Sequence, residues 1–219
     1  KNTEGSYGLR NQRNTSVVYN GIQFLDLESK PLSNEISELT NKLKNKVVIG
    51  TSSRFVSFKR IDRLISAFSK IENIERAVLL LVGDGILISE LKKQVEELGI
   101  RNSVIFAGYV SNVRDFQQLM NVCVFPSQSE PFGLVAIETL SLNKPTIVFS
   151  DGGGLKEIIE KNVADDVINN ESELAERLNY YINNVEHVTE VDTSRVDYAK
   201  EFSIEIACKK FNDIYRQIR

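Results

Sequence analysis

The chain predicts a doubly wound α/β fold, in which helices cover both faces of a parallel sheet. Three observations predict it. From Lys46 onward, short apolar runs alternate with stretches whose apolar residues recur every three or four positions. The runs are continuous rather than alternating, as strands are when neither face meets water. Each run ends in a glycine, serine or proline turn ahead of the next amphipathic stretch. The carboxyl ends of the strands then share one edge, where open parallel sheets bind ligands.

In chain order, Ser16–Tyr19 reads as a strand closed by the Asn20-Gly21 turn, and residues 22–45 read as a connecting segment. The expected sheet strands are Val47–Gly50, Ala77–Val82, Val104–Phe106, Val122–Phe125 and Pro145–Phe149. Between them, Ile61, Leu64, Ile65 and Phe68 share one helical face. Leu87, Leu91, Val95 and Leu98 share another, ahead of Gly99, a residue suited to ending a helix. Leu134–Leu140 is good helix material, with Pro131 at its approach. From about Arg195, an apolar stripe of Ala199, Phe202, Ile206, Phe211, Ile214 and Ile218 marks one last helix, expected to pack on the domain.

The 219 residues amount to about one and a half typical domains, so one large domain with appendages is expected. Opening on Lys1 rather than Met is expected of a fragment. A composition of 42% hydrophobic and 26% charged residues is ordinary for a globular chain. A net charge of -3 without a basic block argues against a nucleic-acid surface. No apolar run reaches the length of about 18 residues that a membrane span needs. Lys1–Asn14 also lacks the apolar stretch of a secretory signal, so a cytoplasmic protein is expected. Cys123 and Cys208 read as reduced thiols, and His187, the one histidine, has no nucleophile or ligand cluster near it in sequence. Asp165-Asp166 and Asp26-x-Glu28 read as solvated carboxylates, and no metal site is expected.

Two phosphate-binding motifs fail. Gly83-Asp84-Gly85 follows a strand, but Ile88 stands where the dinucleotide fingerprint has its third glycine. Gly152-Gly153-Gly154-Leu155-Lys156 is followed by Glu157 where a P-loop needs Ser or Thr.

The informative stretch is Ser129–Glu138, straight after the fourth strand. Helix-start amides around Gly133, Leu134 and Val135 are unpaired donors at a positive helix end, a place suited to phosphate. Glu138 lies about one turn further in, and Glu130 stays outside the helix beyond the amides. Carboxylates repel an anion unless they reach past it, and they are good acceptors for sugar hydroxyls. Arg54 and Lys59, in the loop after the first sheet strand, supply cations for a diphosphate. The implied ligand is a diphosphate with a hydroxylated sugar at each end, which describes a nucleotide sugar.

At these residues the sequence resembles the carboxyl-terminal, donor-binding domain of retaining GT-B glycosyltransferases of family four, group 1 type. The likeness runs from Asn20-Gly21 through SSRFVSFKR, LLLVGDG, VIFAGYV, EPFGLVAIE and GGGLKEII. It implies one Rossmann-like half of a GT-B fold. Its parts would be an interdomain strand and linker over residues 1–33, a nucleotide-sugar-binding domain over 34–194 and a packed amphipathic helix over 195–219. By the same resemblance, Arg54 and Lys59 contact the diphosphate and Gly133, Leu134 and Val135 amides hold its oxygens. Glu138 binds the ribose and Glu130 the transferred sugar. The backbone near Tyr109 and Val110 reads the base, and Gly83 leaves room beside the nucleotide. No metal or cofactor is implied.

The family's common glycines are Ser53 and Arg60 here, and Lys161–Asp166 lacks its usual glycine turn. The acceptor-binding amino-terminal domain is absent, so this chain is expected to bind donor without turning it over. The expected whole enzyme is a hexosyltransferase that acts on a glycan or lipid-linked glycan, the latter bringing it peripherally to the inner membrane face. A GT-B sugar-nucleotide epimerase and a noncatalytic nucleotide-sugar-binding module are the alternatives.

Overall fold

The computed structural model describes residues 16–24, 34–184 and 193–217. A six-stranded sheet forms its centre, with β1 Val47–Ser52, β2 Ala77–Val82, β3 Val104–Gly108, β4 Val122–Phe125, β5 Thr146–Phe149 and β6 Val167–Ile168. The spatial order is β3-β2-β1-β4-β5-β6 and every pairing is parallel. The helices are α1 Asn34–Leu43, α2 Ile61–Phe68, α3 Ile88–Glu97, α4 Val113–Leu119, α5 Leu134–Ser141, α6 Gly154–Glu160, α7 Glu171–Asn183, α8 Thr193–Lys200 and α9 Ile204–Gln217.

Successive strand residues point to opposite faces, and each face of the sheet seeds its own core. Val47, Ile49, Leu79 and Leu81 pack with Leu64 and Ile65 of α2, Val95 of α3 and Leu178 of α7. Val48, Leu80 and Val148 pack with Ile36 of α1, Phe116 of α4, Ile137 of α5 and Ile158 of α6. Each such aliphatic side chain, fully buried, contributes about 1.5–3 kcal/mol. Because both faces are dry, β2 reads as six consecutive buried residues, Ala77–Val82.

The structure departs from the sequence expectation in several places. The first sheet strand runs on to Ser52, and β6 is a further strand of two residues, too short to leave a pattern. Ser16–Tyr19 is not a strand; this segment pairs through one isolated bridge, Ile22 to Ser203. The supposed connector over 22–45 contains α1, whose Ile36, Leu39 and Leu43 follow one another at about one turn each along the side that packs on the core. The single last helix is two. The backbone breaks at Glu201–Ser203, where Ile22 N–H donates to Phe202 O (2.9 Å) and Ile204 N–H donates to Ile22 O (3.0 Å). Ala199, Phe202 and Ala207 are buried, but Ile206 and Phe211 of the expected stripe are exposed. Finally, Asp166 is buried rather than solvated, and its carboxylate accepts from Arg177 Nε (2.7 Å) and the Tyr181 hydroxyl (2.9 Å). Burial raises the pKa of Asp166, with Arg177 opposing the rise.

His187, Asp26, Glu28, Ile218 and Lys1–Asn14 lie outside the described residues. Among the described residues, no group of three or more metal-ligating side chains gathers, and no helix is long and apolar enough to cross a membrane. Cys123 and Cys208 are free thiols, and burial pushes Cys123 up to about 12.

Candidate functional site

The strand order reverses between β1 and β4. The loops leaving their carboxyl ends therefore diverge and open a crevice, the position at which doubly wound sheets take ligands. A cavity of about 950 Å³ occupies it, lined by Arg54 after β1, Gly83 and Asp84 after β2, Tyr109 and Val110 after β3, and Val135 and Glu138 on α5. Residues drawn from four connections thus meet in one space.

Backbone approach shapes the cavity's inner wall. Ser53 N–H donates to Val82 O (3.0 Å) and Gly83 N–H to Gly108 O (2.8 Å), tying the ends of β1, β2 and β3 together. Gly83 has φ 131°, and a Cβ built on it would sit 1.9 Å from Ser53 O. The neighbour that demands a glycine here is thus the protein's own backbone. Beyond Gly83, Phe55 N–H donates to Asp84 O (2.9 Å), so the Arg54 loop is stapled to the β2 turn.

At the other wall, α5 starts at Gly133, with no side-chain cap. Among the described residues the N–H groups of Gly133, Leu134 and Val135 meet no acceptor. Of the three residues Val135 lines the cavity, while Gly133 and Leu134 lie beside it. The positive end of the helix adds to the charge of Arg54, which favours an anion. Glu138, one turn along α5, faces the cavity beyond them. The third side is apolar. Tyr109 and Ile86 are 84% and 82% exposed, and with Val110 and Val113 they offer a surface for a flat ring. Ile86 and Val113 went unnoticed in the sequence, because an exposed apolar residue in a turn or at the first position of a helix has no periodic signature.

Lys59 and Glu130 do not line this cavity. They bond to each other beside it, Nζ to Oε2 at 2.5 Å, with 14% and 17% of their side chains exposed. Phe58 O accepts from Gln128 N–H (2.7 Å), which brings the two loops to that distance. The backbone of Glu130 is held on its other side: its N–H donates to Gly152 O (3.2 Å) and its O accepts from Gly154 N–H (2.8 Å). A Cβ on Gly153 would lie 2.6 Å from Glu130 O. The glycine triplet that fails as a P-loop is therefore what allows two loops to run together behind Glu130.

The segment preceding α1 reaches the same loop. Tyr19 stacks on Phe132 (5.6 Å between ring centres) and meets Phe202 at a tilt (5.7 Å), and its hydroxyl donates to Glu157 Oε1. That bond draws Glu157 below the ordinary carboxylate range and lifts the Tyr19 phenol above its own.

The fold is a Rossmann-like domain of GT-B type, with a crevice at the turning point of its sheet. Residues 33–201 match the model of the family glycosyl transferases group 1, and the chain belongs to that family. It is 32% identical over 152 residues to an uncharacterized glycosyltransferase of Methanocaldococcus jannaschii, a match covering 67% of this chain and 39% of that one. It is 29% identical over 152 residues to the N-acetyl-alpha-D-glucosaminyl L-malate synthase of Bacillus anthracis, covering 69% of this chain and 39% of the synthase. The chain therefore spans about two fifths of these relatives. Among solved structures, Anabaena HepE in complex with UDP and glucose superposes with a TM-score of 0.77 at 24% identity, covering 92% of this chain and 56% of HepE.

Proposed function

We propose that this chain is the donor-binding half of a retaining, family-four glycosyltransferase and binds a nucleotide-diphosphate sugar. The observation that carries this reading is the cavity that joins Arg54, Val135 at the uncapped start of α5 and Glu138 beside an exposed apolar rim. A cation, oriented N–H groups, a carboxylate and a ring-sized surface match the phosphates, ribose and base of such a ligand in that order. The UDP and glucose bound by HepE support the same ligand class.

In this proposal Arg54, Lys59 and the amides of Gly133, Leu134 and Val135 hold the diphosphate. Lys59 has three donors and needs only one for Glu130, which leaves two for phosphate oxygens. Glu138 accepts from the ribose, backbone near Tyr109 and Val110 meets the base, and Glu130 orients the transferred hexose. Charge that develops on the departing nucleoside diphosphate is then met by groups already in place, and the acceptor attacks from the same face. Fixed cations serve here where other transferases use a metal.

Residues 34–194 would form the donor domain, and residues 1–33 would lead in from an acceptor-binding amino-terminal domain. The carboxyl-terminal segment 195–219 packs on the donor domain through its first helix, α8. Transfer requires that acceptor domain, so the chain alone binds but does not turn over. The enzyme would work in the cytoplasm, on a glycan or on a lipid-linked glycan at the membrane face.

Thermal shift with UDP, GDP, ADP and their sugar conjugates tests the binding. A ligand at one hundred times its Kd stabilises by about 2.7 kcal/mol, or about 5 to 10 °C for a chain of this size. Glu138→Ala should erase most of the shift. No shift with any conjugate, or a full shift in the Glu138→Ala variant, overturns the assignment.

A further inference from the structure

We infer that Arg63 and Asp151 form a clip that sets the position of Glu130, and through it the preference for a sugar-bearing diphosphate over the bare diphosphate. The inference rests on donor binding as proposed above and concerns residues outside the cavity. Arg63, in the first turn of α2, donates from Nη1 to Asp151 Oδ1 and from Nη2 to Asp151 Oδ2, both at 2.9 Å. Its side chain is 14% exposed, and the guanidinium lies 4.9 Å from the ring centre of Phe149 at the end of β5. A planar fork on both oxygens of one carboxylate, backed by an aromatic face, fixes direction as well as distance.

Asp151 opens the loop from β5 to α6, and its backbone continues the contact toward the site. Asp151 O accepts from Ser129 N–H (2.9 Å), and the next two bonds are those that Glu130 makes to Gly152 and Gly154. Ser129 has φ 56°, a left-handed state that an L residue holds only where its surroundings impose it. Backbone bonds from Ser150 N–H to Ile168 O (2.8 Å) and from Gly152 N–H to Phe149 O (2.9 Å) hold the base of the partner loop, but no side chain in the triplet fixes its direction. Gly152, Gly153 and Gly154 carry no side chains and have the widest backbone freedom of any residue type. Asp151 is the last residue before them with a side chain to anchor, and its anchor is Arg63 on the neighbouring β1–α2 unit. Loss of the fork frees the triplet, the triplet releases Ser129 and Glu130, and the Glu130 carboxylate then depends on Lys59 alone.

Arg63 touches neither the cavity nor the proposed phosphate groups, so it is a positioning residue. Arg63→Met keeps the stem over Phe149 and removes the fork, and Arg63→Lys keeps the charge without the two-point geometry. Titration calorimetry with UDP and UDP-glucose should show UDP affinity within about twofold of the unaltered chain. The ratio of UDP-glucose to UDP affinity should fall about 5- to 10-fold in Arg63→Met, a coupling of ordinary size for contacting residues. Arg63→Lys should recover part of it. Amide hydrogen exchange of Arg63→Met should show lost protection at Ser129, Glu130 and Gly154, with β1 and β2 unchanged. Equal weakening of both ligands, or unchanged exchange at those three amides, overturns the clip. If the unaltered chain binds none of UDP, GDP, ADP and their sugar conjugates, the donor proposal fails; if it binds another base, the same ratio is read with that diphosphate and its sugar. In either case the exchange pattern decides whether Arg63 positions Glu130.

Discussion

Gly83→Ala puts the architecture of the crevice to its most direct test. The new methyl would lie 1.9 Å from Ser53 O and 3.0 Å from Ser53 C, both backbone atoms that no rotamer change can move. The φ of 131° adds a backbone state closed to L residues. Strain of that kind costs about 1–3 kcal/mol, and overpacking a filled site costs about 1–3 kcal/mol more. Together they predict a loss of about 2 to 6 kcal/mol. Gly99→Ala is the matched control, since Gly99 also has positive φ (68°) but no atom within 4 Å of its built Cβ; it should lose about 1–2 kcal/mol. Urea unfolding of both variants gives the difference, with equal m-values showing that the unfolded states match. If Gly83→Ala is no less stable than Gly99→Ala, the collision with Ser53 is refuted. Loss of nucleotide binding at full stability would instead return Gly83 to the role the resemblance implies, that of leaving room for ligand.

Glu130→Gln should leave UDP affinity intact or raise it about 2- to 10-fold, because Lys59 is released from a charged partner worth about 1.5–3 kcal/mol, while the preference for UDP-glucose disappears; calorimetry reads both. Arg177→Leu leaves the buried Asp166 carboxylate with the Tyr181 hydroxyl and the more distant charge of Arg195, and should cost about 3 kcal/mol in chemical denaturation. Tyr19→Phe should flatten both ends of the pH–stability curve. Glu157 is drawn below its unfolded value, so its contribution is present above the unfolded carboxylate pKa and lost as acid is added through the lowered one. Tyr19 is raised, so its contribution is present below the unfolded phenol pKa and lost as pH climbs through the raised one. Thermal unfolding across acid and alkaline buffers checks both limbs, and an unchanged curve in Tyr19→Phe would dismiss the bond.

Much of the framework was legible in the residues. The five apolar runs are strands because unbroken burial on two faces needs unbroken hydrophobicity, and the stripes at Ile61–Phe68 and Leu87–Leu98 are helical because they face such a sheet. Helix α1 was also legible, in Ile36, Leu39 and Leu43, but a polar neighbourhood disguised the stripe. Strand β6, at two residues, carries no period at all. The break at Glu201–Ser203 arises from contact with Ile22, about 180 positions earlier in the chain.

By itself, then, the order of residues determined the layered α/β class, the edge at which the cavity opens, and a set of residues with the chemistry for phosphate and sugar. Their grouping was decided elsewhere. Arg54 and Glu138 share a cavity while Lys59 and Glu130 bond beside it, and Arg63 reaches Asp151 across 88 positions. Periodicity and capping are local properties of a chain, set within a turn or two. Which distant loops meet depends on strand order and on the crossovers between strands, and those are settled only when both faces of the sheet are buried at once.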